Sequence, residues 1–124
     1  DFFYGMEEYD LSYRLLNEGY KIIYTDSIVM LHKESPLGRQ PNKDKMKMLW
    51  INKSKVAWRY LPRCYFYTTS MMWSLEYLLK SKFDFFGWMK NWRTIFQIPA
   101  KENRTTVSKK TLQYLKEVDA RMAY

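Results

Sequence analysis

The sequence is short of the residues that would decide its class at once. One cysteine among 124 residues, Cys64, excludes an internal disulfide and suits a reducing compartment. One histidine, His32, excludes any histidine-rich metal centre. Four glycines and four prolines are too few for a collagen-like or linker-like chain. No hydrophobic run is long enough to cross a bilayer. The most apolar stretch, RCYFYTTSMMWSLEYLLKSK, has only 16 residues between Arg63 and Lys80, with Glu76 and four Ser or Thr among them, whereas a span needs ~20 mostly apolar residues. It reads as an amphipathic helix instead, packed on its neighbours or lying at a membrane surface.

What is present is aromatic and basic. Phe, Trp and Tyr make up 19% of the chain, and hydrophobic residues 47%, a composition that folds. The length allows one modest domain. The formal charge of +8 is uneven: residues 1–33 carry 3 basic and 6 acidic side chains, and the remaining 91 residues carry 18 and 7. The two parts therefore suit different partners. Nucleic acid fits the basic part least, since no binding module is present and the aromatics follow helical spacing rather than a stacking platform. Anionic membrane fits better, because Trp and Tyr favour the headgroup zone and Lys and Arg are drawn to acidic lipid. Packing of the same aromatics into a helical core, or against a second copy of the chain, is the plainer alternative.

Periodicity predicts a mainly α chain with a small β element. EEYDLSYRLLNEG reads as a helix with Leu11, Leu15 and Leu16 on one side, an Asp10–Arg14 pair and Gly19 as its C-terminal cap. YKIIY and SIVML, split by TDS, read as two short strands around a turn, the second ending at His32. ESPLGRQ is a loop, so the chain divides into residues 1–35 and a basic, aromatic helical extension over residues 36–124. In the extension NKDKMKMLWINKSKVAWRYL forms one helix, with Pro62 either closing it or opening the next. FDFFGWMKNWRTIFQI follows, with Phe85, Trp88 or Met89, Trp92 and Phe96 on a buried stripe and Pro99 as its end. Ser108 caps a last short helix with Leu112, Leu115 and Val118 on one face.

Three acids, Glu7, Glu8 and Asp10, crowd the first turn of the first helix. Taken alone they are a favourable complement to the helix dipole, worth a few tenths to about 1 kcal/mol each. Their context says more: FFYGMEEYDLSYRLLNEGYKIIYTDSIVMLH resembles the C-terminal part of the catalytic domain of family 2 glycosyltransferases, inverting enzymes of the GT-A fold, whose pattern is FFxYGEDxDLxxRLxxxGYKIxYxPxAxVxH. WINKSKVAWRYLP and KENRTTVSKKTLQYL are similar to the helical extension of rhamnosyltransferase-like members. Specific motifs lie only in residues 1–32.

The resemblance implies that Glu8 is the base that takes a proton from the acceptor hydroxyl, with Glu7 as its catalytic partner. It places Asp10 and Tyr4 at the acceptor and His32 on a divalent metal, Mn²⁺ or Mg²⁺, beside the nucleotide diphosphate. The donor would be a nucleotide sugar and the acceptor a glycan or lipid-linked chain in bacterial cell-surface polysaccharide synthesis. A cytoplasmic enzyme, peripheral on the inner face of the membrane, follows. The sequence departs from the pattern in having Glu8 where Asp is usual and Met6 before the pair where Gly is usual. It also contains no D-x-D, the motif that supplies the family's carboxylate metal ligand. The expectation is thus a C-terminal fragment, inactive alone. Without the resemblance, the alternative is a non-enzymatic helical module that binds a membrane surface or a partner protein.

Overall fold

The computed structural model describes residues 5–31 and 42–122. Five helices follow in order: α1 (Glu7–Asn17), α2 (Asn42–Tyr60), α3 (Arg63–Lys80), α4 (Phe85–Lys101) and α5 (Lys109–Glu117). Tyr4 and His32 lie outside the described residues.

Helix α2 is the axis of the molecule, and its burial is not confined to one stripe. Met46, Trp50, Val56, Ala57 and Tyr60 are buried, and so are Asn52, Ser54 and Trp58. A helix enclosed on several sides must satisfy polar side chains internally. Trp50 does so by donating from Nε1 to the Ser70 carbonyl at 2.9 Å, and Ser70 Oγ donates to Ser54 Oγ at 3.0 Å. Small residues at this crossing let α2 and α3 approach closely. Pro62, in an extended conformation, stands just ahead of α3, where its missing N–H is no loss.

Two buried clusters flank α2. Trp50 packs on Tyr77 of α3 and, edge-on at 5.4 Å, on Trp92 of α4, with Trp58, Phe66, Ile95 and Ile98 around them. On the other side Met6 and Tyr13 join Val56, Tyr60, Leu61, Val107 and Leu115. Residues 5–16 therefore share a core with the helical extension. The link after α4 completes it, because the Thr105 and Val107 N–H groups donate to the carbonyls of Arg59 and Tyr60 and so satisfy the exposed end of α2.

Several expectations are corrected. Among the described residues there is no strand: residues 20–31 are extended and irregular, and every one is exposed. The TDS turn forms, with Ser27 N–H on Thr25 Oγ1 at 3.3 Å, but the runs on either side do not pair. A strand needs a neighbouring backbone, and a lone two-stranded hairpin is marginal at best. Helix α1 faces inward through Tyr13, stacked 5.3 Å from Tyr60, whereas Leu11 is exposed. Pro99 does not end α4, which continues to Lys101; at the last turn a missing N–H forfeits only one hydrogen bond. The buried side of α4 is Asn91, Ile95 and Ile98, which leaves Phe85, Met89 and Phe96 exposed. Ser108 does cap α5, accepting from Thr111 N–H at 3.1 Å, but Val118 lies past its end and is exposed. No helix among the described residues is long and apolar enough to cross a membrane.

Candidate functional site

The acidic turn is set by its backbone. Gly5 (φ +68°) and Met6 (φ 82°) are both left-handed immediately before α1, and the Met6 carbonyl accepts the Asp10 N–H at 3.0 Å as the first helical bond. The left-handed conformation costs a non-glycine residue about 1–2 kcal/mol. Met6 is held there because its side chain is 3% exposed in the core. The position at which the glycosyltransferase pattern has glycine is thus one that the backbone favours glycine for.

From this turn Glu8 and Asp10 diverge. At 100° per residue Glu8 lies on the opposite side of α1 from Asp10. Glu7 and Glu8 are exposed. Asp10 turns onto α2, where its Oδ1 accepts from Tyr60 Oη at 2.6 Å and from Arg59 Nη1 at 3.3 Å; Arg14 stands 3.7 Å from Oδ2. The intrahelical Asp10–Arg14 pair is present, but it is the weaker part of what Asp10 does. A sugar hydroxyl reaching Asp10 would compete with Tyr60 and Arg59 for it.

Beyond Asp10 lies a charged cluster that links α1, α2 and the end of α4. Arg59 donates from Nε (3.0 Å) and Nη2 (2.6 Å) to Glu102 Oε2, and Lys55 Nζ is 3.2 Å from Glu102 Oε1. These four side chains are 16–22% exposed. Burial pushes the Glu102 carboxyl up, but hydrogen bonds from Arg59 and Lys55 outweigh it and hold the group below its ordinary value. Burial works against the Arg59 charge in the same way, and its bonds to Glu102 and Asp10 more than offset it. Burial and the bond to Asp10 push the Tyr60 phenol up to about 12. Nothing local in the sequence marks Arg59, Lys55 or Glu102 as part of a site. The contacts span more than 40 positions, and no local pattern announces them.

A second ionic group fixes the start of α4. Asp84 accepts the Gly87 N–H at 3.2 Å as its N-cap, accepts from Tyr77 Oη at 2.8 Å and pairs with Lys43 at 2.5 Å. The bond from Lys43, then those from Tyr77 and Gly87, hold its carboxyl down at about 2.

The described residues do not supply a divalent metal site. No three carboxylate, imidazole or thiol side chains converge among them. A hard cation such as Mg²⁺ or Mn²⁺ requires several oxygen ligands, so Glu7 and Glu8 at the surface do not fit it alone. The cleft beside α1, about 390 Å³ and lined by residues including Tyr13, Arg14, Glu18, Tyr60 and Thr105, includes neither glutamate. Comparison of the chain with family models, with curated proteins and with solved structures finds no match.

Proposed function

We propose that this chain is the C-terminal part of an inverting, nucleotide-sugar-dependent glycosyltransferase that acts on a glycan or lipid-linked acceptor in cell-surface polysaccharide synthesis. The observation that carries the reading is the acidic turn: two exposed carboxylates, Glu7 and Glu8, stand at the start of a helix whose orientation is fixed by Asp10 on Arg59 and Tyr60. Exposed apolar side chains at Ile22, Ile23, Tyr24, Ile28, Val29, Met30 and Leu31 support it, being what a sheet supplied from elsewhere in an enzyme would cover.

In this reading Glu8 accepts the proton of an acceptor hydroxyl as that oxygen forms its bond to the anomeric carbon. The bond from that carbon to the nucleoside diphosphate breaks, and the diphosphate leaves with the electron pair. A general base of this kind contributes about 10²–10⁴-fold. Glu7 and the dipole of α1 keep the local field fixed, and Asp10 acts by positioning the turn. The 124-residue chain by itself turns over no nucleotide sugar.

The test uses the protein expressed from its complete reading frame. Glu8→Gln should lower transfer by about 10²-fold or more while donor affinity, measured by calorimetry, stays within a factor of about two. Glu7→Gln should be the milder change. Transfer retained in Glu8→Gln removes Glu8 as the base. Sugar transfer by the 124-residue chain alone overturns the fragment reading.

A further inference from the structure

The turn between α3 and α4, residues 81–84, is built to hold aromatic side chains away from the protein. Lys82 (φ 57°) and Phe83 (φ 62°) are consecutive left-handed residues without a glycine, a conformation that L side chains rarely adopt. The Phe83 N–H closes the turn onto the Leu78 carbonyl at 2.9 Å, and Asp84 then caps α4. Phe83, Phe85 and Phe86 project as a result, with Phe86 85% exposed. Leu79 at the end of α3 and Met89 one turn into α4 are exposed as well. Water-exposed phenyl groups at one helix-hairpin tip are not needed for the fold, because both buried clusters form without them.

The same tip is basic. Phe86 lines a cleft of about 360 Å³ together with Lys43, Lys47 and Lys90; Lys80 ends α3 and Lys82 lies in the turn. Asp84 and Asp44 share the cleft, and Asp84 is already engaged by Lys43 and Tyr77.

We propose that the α3–α4 tip docks onto an anionic lipid bilayer. Phe83, Phe85 and Phe86 enter the headgroup–acyl boundary, and Lys47, Lys82 and Lys90 meet lipid phosphates. Charge complementarity selects this occupant: phenyl groups ringed by lysines suit an apolar layer faced with negative charge. The inference holds whether or not Glu8 acts as a base.

The experiment is co-sedimentation of the chain with phosphatidylcholine vesicles and with vesicles that also contain phosphatidylglycerol. Binding is expected on the anionic vesicles only, and it should fall as salt is raised. Phe83→Ser with Phe86→Ser should weaken it by roughly tenfold per side chain, because interfacial apolar burial is lost. Lys47→Gln with Lys90→Gln should weaken it about fivefold per charge. All four positions are exposed or half-buried, so the helical circular dichroism of both variants should match the parent. Absence of binding to anionic vesicles overturns the proposal, as does binding that neither variant reduces. Binding of inorganic phosphate by the cleft without vesicle association overturns it too. So does a dimer in sedimentation equilibrium that the Phe variant abolishes, since the tip would then be covered by a second copy.

Discussion

Glu102→Gln tests the cluster that ties the acidic turn to the rest of the molecule. Glu102 takes two bonds from Arg59, at 3.0 and 2.6 Å, and one from Lys55 at 3.2 Å, while 16% exposed. Charge-assisted bonds in such a setting contribute about 1.5–3 kcal/mol, and breaking a fully buried pair costs about 3–5 kcal/mol. The residual exposure and the surviving amide oxygen reduce this, so a loss of about 2 kcal/mol is expected. For a chain of this size that corresponds to a fall in Tm of roughly 8 °C. The measurement is thermal unfolding at neutral pH by circular dichroism, with Arg59→Met and the double variant completing a cycle. The double variant should cost less than the two singles together by about 1 kcal/mol or more. Glu76→Gln is the control: its pair with Lys80 is at 2.5 Å but both side chains are about half exposed, and exposed pairs contribute under about 1 kcal/mol. Equal shifts for Glu102→Gln and Glu76→Gln, or strict additivity in the cycle, would refute the reasoning from burial.

Asp10→Ala should destabilise by about 2 kcal/mol, since it leaves the Tyr60 hydroxyl and one Arg59 contact without an acceptor, and hydrogen exchange should quicken in α1 more than in α3. Gly5→Ala should cost about 1–2 kcal/mol in denaturant melts, because φ is +68° and a Cβ would meet Leu49 Cδ2 at 3.1 Å. Because the Asp84 carboxyl is lowered in the fold, its contribution is complete above its unfolded value near 3.8 and is lost as pH falls toward about 2. The pH dependence of α4 fraying in that window, followed by amide exchange or NMR, should vanish in Asp84→Asn. Tyr60 has the opposite sign: raised to about 12, its contribution is whole below pH 10 and is lost as pH climbs from there. Ultraviolet titration should show Tyr60 and Tyr77 ionising well above pH 10, at about 12, and ionisation at the ordinary value would contradict their bonds to Asp10 and Asp84.

Local chemistry made much of this protein legible in its sequence. The helices, the Ser108 cap, the C-terminal glycine of α1 at Gly19 (φ +88°) and the absence, among the described residues, of a helix long and apolar enough to cross a membrane depend on neighbours within one or two turns. So does the crowding of Glu7, Glu8 and Asp10, which is visible as written. Tertiary structure alone decided what each acid does. Asp10 meets Arg59 and Tyr60 across about fifty positions, while Glu8, on the opposite side of the helix, and Glu7 at its start are left exposed. The same distinction explains the misses. A β-rich run forms a strand only if another backbone lies beside it, and nothing within residues 20–31 provides one. An aromatic stripe at helical spacing reads as core, but only the packing of α4 through Asn91, Ile95 and Ile98 determines that Phe85, Met89 and Phe96 face out. Periodicity fixes which side chains share a face. Which face is covered depends on long-range contacts that the local pattern does not encode.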